Sequence, residues 1–353
     1  MVPGRTRLMF RRLLYVLLLC LALVGCDIFI PLSPPPGPGV GPVPTVVMPP
    51  APAPATATAT AAPTETPAVP TFTPAPLGGT TFDGEAAFVY LEEQVAFGPR
   101  WPGSPGHIAA GDHIIETLQA LGWAVEEQPL EYQGVQGRNI IGRANEGAGP
   151  VIILGAHYDT RRVADETAGA VEQQLPSPGA VDGASGVAVL LELARTLDLE
   201  RIPHEIWLAF FDLEDNGNEG LPGWDWIVGS TYMAENLTIT PQAVVVVDMV
   251  GDADQQFYYD GNSDQALRET LWNIAAGLGY GASFIPELKY TMIDDHLPFA
   301  RRGIPAVDII DFDYPYWHTV EDTSDKASAD SLHRVGRTVE SWLEDWLPNE
   351  QQD

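Results

Sequence analysis

Glu205-Ile-Trp-Leu-Ala-Phe-Phe-Asp-Leu-Glu-Asp215 is the stretch on which the reading of this 353-residue chain turns. From Ile206 to Phe211 every residue is apolar, without alternation and without a turn residue, which is the pattern of a strand covered on both faces in an α/β sheet. Polar chemistry on such a strand is confined to the place where it stops. Glu214 and Asp215 stand there, ahead of a glycine-rich loop. Two adjacent carboxylates shielded from water repel each other, so one takes up a proton unless a cation or a hydrogen-bond network compensates. A solvated acidic loop is the competing reading, because Asp212 to Glu219 holds four acids.

Outward from this segment, apolar runs alternate with helical patterns. Upstream, Gly84 to Phe97 and Ile108 to Leu121 have helical spacing, and Ala124 to Tyr132 and Gly137 to Arg143 read as strands. Pro150 to Gly155 is a buried strand running into Ala156-His-Tyr-Asp159, and after a loop Asp182-Gly-Ala-Ser-Gly186 opens a helix over Val187 to Leu197. Downstream, a loop rich in glycine and tryptophan runs to Gly229, and Ala243 to Met249 is a buried strand tipped by Asp248. A helix over Asp264 to Leu278, a strand over Ile304 to Ile310 leading to Tyr316-Trp-His-Thr319, and an amphipathic helix over Asp330 to Trp346 complete the chain. The expected fold is α/β: a single domain with a central, mostly parallel, mixed and twisted sheet and helices on both faces.

Chemistry-bearing residues fall at the ends of these elements. His157, Glu214 with Asp215, Asp248 and His318 follow strands, and Asp182 begins a helix. Open α/β sheets place their sites at that edge. Taken singly, each has a plainer reading: a hydrogen-bonded structural histidine, a helix N-cap at Asp182, a turn cap at Asp248. Together, two imidazoles and three carboxylates, with one more carboxylate to move protons, fit a zinc site. Asp182-Gly-Ala-Ser-Gly186 lacks the lysine that a phosphate-binding loop needs. Trp224 and Trp226 read either as walls of a pocket or as buried packing.

Composition bounds the rest. The chain has 48 acids against 18 lysines and arginines, a net charge of -30, and the first 25 residues contain four arginines and no acid. That balance excludes nucleic acid as a partner, since phosphate binding needs a basic face. Cys20 and Cys26 are the only cysteines, so a metal in the folded part must be held by His, Asp and Glu. Arg5 to Arg12 followed by the apolar run Leu13 to Val24 reads as a secretory signal, too short for a comfortable membrane span. Leu23-Val-Gly-Cys26 resembles a bacterial lipobox. The expected organisation is a lipoprotein signal peptide over 1–25, an acylated Cys26 with a disordered Pro/Ala/Thr-rich stalk over 26–80, and a catalytic domain over 81–349. An uncleaved signal anchor and ordinary signal cleavage are the alternatives. In each case the protein is exported, and in the first it is held at a membrane by its lipid on the periplasmic or extracellular face. Pro34 to Leu77 is almost wholly Pro, Ala, Thr, Gly and Val, and proline-rich chain extends by about 3.1 Å per residue, so this stretch reaches up to roughly 140 Å.

The ordered set Gly155-Ala-His-Tyr-Asp159, Asp182-Gly-Ala-Ser-Gly186, Phe211-Asp-Leu-Glu-Asp215, Val247-Asp-Met249 and His318-Thr-Val-Glu-Asp-Thr323 resembles the zinc aminopeptidases of metallopeptidase family 28. The resemblance implies two co-catalytic zinc ions, with Asp182 bridging, Asp215 and His318 on one ion, and His157 and Asp248 on the other. It makes Glu214 the general base that activates water, and the reaction the removal of N-terminal residues from peptides with a free N-terminus. Many members have two glutamates where this chain has Glu214-Asp215, so either the metal is expected nearer the backbone or the loop is expected to shift, with Asp215 still a ligand. A further set is similar to the secreted glutaminyl cyclases: Phe210-Phe-Asp212, the tryptophans before Gly229-Ser230, Asp294-Asp-His-Leu-Pro-Phe-Ala-Arg-Arg-Gly-Ile-Pro305 and Trp317-His318. That likeness implies one zinc on Asp182, Asp215 and His318, a proton network of Glu214, Asp248 and Asp294, and Trp317 in the pocket wall. The hydrolase is the main expectation and the cyclase the alternative; an inactive, lipid-anchored binding protein on the same scaffold is a third reading, against which the presence of Glu214 speaks.

Overall fold

The computed structural model describes residues 81–347 apart from Glu219. The expected signal peptide, Cys26 and stalk, and positions 348 and 349, lie outside the described residues. In chain order the elements are α1 (Gly84–Ala96), α2 (Pro105–Ala120), β1 (Ala124–Tyr132), β2 (Val135–Ala144), β3 (Val151–His157), α3 (Ala184–Thr196), β4 (Glu205–Phe211), α4 (Val228–Asn236), β5 (Ala243–Asp248), β6 (Phe257–Asp260), α5 (Gln265–Gly277), β7 (Phe284–Tyr290), α6 (Leu297–Arg301), β8 (Ala306–Ile310) and α7 (Ala329–Ser341).

Six strands form one mixed sheet in the order β1-β2-β4-β3-β5-β8. The pairs β4/β3, β3/β5 and β5/β8 are parallel, while the β1/β2 hairpin joins β4 antiparallel. Two layers of helices cover it, and strand alternation shows why the central strands are apolar throughout. Ile206, Leu208 and Phe210 of β4 pack with Val187, Leu191, Leu332 and Val339 of α3 and α7 on one face. Trp207, Ala209 and Phe211 pack with Met233 of α4 and Phe299 beside Ile304 on the other. Burying a side chain of this size contributes about 1.5–3 kcal/mol. Close approach fixes α3 against the sheet: a Cβ on Gly186 would lie 2.3 Å from the Val247 carbonyl oxygen. That contact seats the start of α3, and with it Asp182, over the end of β5.

The structure adds elements that the sequence pattern did not announce. α2 starts at Pro105, ahead of the expected Ile108, because Ser104 Oγ accepts from His107 N at 3.1 Å and proline is suited to the first helical turn. α4 and α6 cover the second face, and β6 pairs in parallel with β7 as a separate ribbon. The closing helix is regular to Ser341 and widens into a π-helical turn over Trp342–Trp346.

Candidate metal centre and active site

Strand order reverses at β3. The chain leaves β3 through α3 to reach β4 on one side, and returns through α4 to β5 on the other. The carboxyl ends of these strands therefore open a crevice at the switch point. His157 is the last residue of β3 and Asp248 the last of β5, Glu214 and Asp215 follow β4, Asp182 precedes α3, and His318 follows β8.

The turns that aim these side chains are unusual in one shared respect. Leu213 (φ 60°), Met249 (φ 46°) and His318 (φ 54°) all have left-handed backbone, and none is glycine. Each such residue costs of the order of 1–3 kcal/mol and persists only where its surroundings enforce it. Carboxylates beneath the site fix the segments around it. Asp159 accepts the Glu214 amide at Oδ1 (3.0 Å), and at Oδ2 the Asp215 amide (3.4 Å) and Asn216 Nδ2 (3.1 Å). Asp322 accepts the amides of Val181 (2.8 Å) and Asp182 (3.1 Å) and the Tyr314 hydroxyl (2.7 Å). Asp212 accepts from Arg138 N (2.7 Å) and the Tyr158 hydroxyl (2.6 Å), with His107 Nε2 2.7 Å from its other oxygen. All three lie within the quoted motifs, yet their positioning roles were not read from them. Asp159 stands two residues beyond a strand-end histidine and Asp212 one residue beyond a strand, while the position of Asp322 gives no such signal.

Two buried triads share Asp182. In the first, His318 Nε2 is 2.7 Å from Asp215 Oδ1 and 3.7 Å from Asp182 Oδ2. In the second, His157 Nε2 is 3.0 Å from Asp248 Oδ1 and 3.2 Å from Asp182 Oδ1. Within each triad the ligand atoms lie within 4.8 Å of one another. They differ in how well they satisfy themselves. Asp182 Oδ2 and Asp215 Oδ2 have no hydrogen-bond partner although both are buried. By contrast His157 is engaged on both sides, its Nδ1 3.2 Å from the Asp159 carbonyl oxygen and its Nε2 bonded to Asp248. A buried carboxylate oxygen left unpaired is costly, and one imidazole with two carboxylates is a donor set suited to zinc. The residues at the first triad fit a metal on both counts.

A cavity of about 360 Å³ opens onto this centre, and Asp182, Glu214, Asp215, Asp248, Asp294 and His318 contribute to its lining. Trp226 and Trp317 add apolar walls, and both indoles stack on the His318 ring, at centroid distances of 5.9 and 3.7 Å. Burial pushes the Glu214 carboxyl well above the usual range; Asp215, Asp295 and Asp294 add to this and His157 opposes it. Asp294 is raised well by burial and by Asp248. Burial alone would raise Asp182 too, but hydrogen bonding and charge from His157, with His318 behind, hold it lowered. Asp182, shared by the two triads, is thus held anionic beside two carboxyl groups whose charged forms burial disfavours.

The structure therefore gathers His157, Asp182, Glu214, Asp215, Asp248, Asp294, Trp317 and His318 in one place. Trp224 is the correction. It does not line this cavity but packs with Leu130 and Leu213, edge-on to Tyr132 at 5.4 Å. The left-handed turn at Leu213 sends that side chain inward, and the Trp224 indole packs beside it. Trp226, two residues on, faces the site, with the Arg161 guanidinium 4.7 Å from its ring centroid.

One positioning role is directly testable. Asp159→Asn keeps the shape but exchanges acceptor oxygens for an amide that cannot receive three donors. Loss of such an outer partner costs about 10–100-fold in metal affinity. Zinc competition titration should show this loss with the circular dichroism spectrum unchanged, and unaltered affinity would remove Asp159 from the account.

An open α/β sheet with a buried His/Asp centre at its switch point defines a metal-dependent enzyme. The chain belongs to peptidase family M28, whose model matches residues 139–343. Among curated relatives, it is similar to the glutaminyl-peptide cyclotransferase of Bothrops jararaca, 30% identical over 285 residues that cover 67% of this chain and 75% of that protein. The Boiga irregularis glutaminyl-peptide cyclotransferase is 28% identical over 294 residues, covering 70% and 77%. Among solved structures, Bacteroides thetaiotaomicron glutaminyl cyclase bound to N-acetylhistamine superposes with a TM-score of 0.71 at 34% identity, over 75% of this chain and 99% of that one. A leucine aminopeptidase precursor from the same species matches with the same TM-score of 0.71 and 34% identity, over 75% and 98%.

Proposed function

We propose that the protein is a zinc-dependent glutaminyl-peptide cyclotransferase, converting the N-terminal glutamine of a peptide to pyroglutamate with release of ammonia. The observation that carries this reading is the inequality of the two triads. The orphaned oxygens belong to Asp182 and Asp215 beside His318, whereas His157 and Asp248 satisfy each other, which supports one zinc rather than two. The cyclotransferase relatives and the glutaminyl cyclase structure support the same choice. This places the cyclase ahead of the hydrolase that the strand-end motifs alone suggested.

In this reading Asp182, Asp215 and His318 hold the zinc. Zinc bound there supplies a Lewis acid for the γ-carbonyl oxygen of the substrate glutamine. The α-amine reacts in its neutral form: Glu214 takes a proton from it as it attacks the carbonyl carbon of the γ-carboxamide, and one C–N bond forms as another breaks. The same carboxyl then gives its proton to the departing nitrogen, which leaves as ammonia, and no water is consumed. Asp294 and Asp248, on the same cavity, hold the proton network around Glu214. Trp317 and Trp226 wall the glutamine side chain and keep out water that would hydrolyse rather than cyclise.

A second reading is kept for one specific reason: the donor atoms of His157, Asp182 and Asp248 also lie within 4.8 Å of one another, as an aminopeptidase with two metals requires. Product analysis on an N-terminal glutamine peptide separates the two. Ammonia with an intact, cyclised peptide supports the cyclase, and free glutamine supports the peptidase. We further propose that the domain works outside the cytoplasm on a lipid anchor at Cys26, on the strength of the Leu23 to Cys26 motif. Mass spectrometry of the N-terminal peptide should find Cys26 acylated, and an unmodified cysteine on a longer N-terminus would contradict it.

A further inference from the structure

A second cluster lies beside the catalytic centre and shares only Asp294 with it. Asp308 sits in the middle of β8 and is fully buried, an anomaly in a strand whose other members are Ala306, Val307, Ile309 and Ile310. Neither of its carboxylate oxygens has a hydrogen-bond partner. His296, equally buried, faces it: Nδ1 is 3.6 Å from Asp308 Oδ2. Its Nε2 is 3.1 Å from Asp260 Oδ2, in poor alignment for a hydrogen bond, so both ring nitrogens are also without one. Asp294 completes the group, with ligand atoms of all three residues within 4.8 Å of one another.

Three partnerless polar atoms where the two buried side chains face each other, Asp308 Oδ1 and Oδ2 and His296 Nδ1, are hard to reconcile with protein contacts alone, since each unsatisfied group costs about 1–3 kcal/mol. A hydrogen bond between the two cannot close across 3.6 Å. That spacing instead suits two ligands of one ion, since donors at about 2.1 Å from a tetrahedral centre stand roughly 3.4 Å apart. The surroundings of His296 have the matching form. Asp260 stands behind the ring and is itself pinned by the Met292 amide (2.6 Å), the Asn262 amide (3.0 Å) and Ser263 Oγ (2.9 Å). A fixed carboxylate behind an imidazole is the arrangement that orients metal-binding histidines. Asp294 also lines the catalytic cavity and so provides a way in.

We propose that Asp294, His296 and Asp308 hold a divalent cation of the zinc class in a buried site separate from the Asp182, Asp215 and His318 triad. One imidazole and two carboxylates set that ligand preference. A cation there ties α6 to β8 behind the cavity and fixes the orientation of Asp294.

Zinc content of the full-length chain, loaded with zinc and dialysed against metal-free buffer, tests this. Elemental analysis should show one equivalent fewer in Asp308→Asn than in the parent, and a content equal to the parent would overturn the proposal. Should Asp308→Asn fail to fold, anomalous scattering at the zinc edge from parent crystals decides the matter. A peak between His296 Nδ1 and Asp308 is expected, and solvent alone at that position would overturn the site. The same map reports separately on the catalytic reading, whose zinc lies among Asp182, Asp215 and His318.

Discussion

Glu214→Gln lowers kcat for glutamine cyclisation by about 10²–10⁴-fold, the range that a positioned general acid–base supplies, while zinc content and fold are retained. Three features of the site lead to that expectation. Glu214 lies against the cavity, and neither triad uses it as a ligand. Its backbone is held from below by Asp159, so its placement does not depend on its own charge. Burial already disfavours the charged form, so an amide of the same size does not destabilise the fold. Glutamine can occupy the volume but cannot take a proton from the α-amine or give one to the departing nitrogen. A variant that cyclises at the parental rate would assign the proton transfer elsewhere, with Asp294 next in line.

Asp215→Ala removes zinc and activity together. It deletes one of three ligands and leaves His318 and Asp182 facing an unfilled gap. Loss of a Lewis acid worth several kcal/mol corresponds to about 10³-fold or more in rate. The informative comparison is His157→Ala. If one catalytic zinc sits on Asp182, Asp215 and His318, elemental analysis finds one equivalent fewer zinc in Asp215→Ala but no change in His157→Ala. If two catalytic metals are held, His157→Ala loses one as well. Chelation of the parent followed by readdition of zinc should abolish and then restore turnover, which separates loss of metal from loss of fold.

Much of this architecture was legible in the chain because β3, β4 and β5 are covered on both faces and so appear as uninterrupted apolar runs. The site edge followed from the same strands, since His157, Glu214, Asp215 and Asp248 stand where those runs end. α4 was hidden: it begins after Ile227, which is left-handed and offers no capping side chain, and it contains Gly229 and Ser230. β6 and β7 were hidden because they are short, partly exposed, and in β7 interrupted by Pro286. Trp224 and Trp226 lie two apart in a loop without periodicity, so nothing in their spacing says which one reaches the cavity. Asp159 and Asp322 act on backbone amides far away in sequence, at separations of 55 and 141 residues for Glu214 and Val181. Asp294 was accessible only through likeness to the cyclases. Asp308 looked like one polar residue in an apolar run until the fold set His296 beside it.

The difference between the two triads also accounts for the opening pair. Asp215 is held through its amide by Asp159 and keeps one oxygen without a partner, where the proposed function puts a metal, whereas Glu214, one residue earlier, lines the cavity, where the same proposal makes it the proton carrier. One strand end thus delivers two carboxylates to different tasks.

The measurement that tests the central claim most directly is the product balance on a peptide with N-terminal glutamine, followed by ammonia release and mass spectrometry. The account predicts one ammonia per peptide, a loss of 17 mass units for that leaving group, and no free amino acid. Free glutamine and a peptide one residue shorter, without ammonia, would contradict it and return the protein to the aminopeptidases.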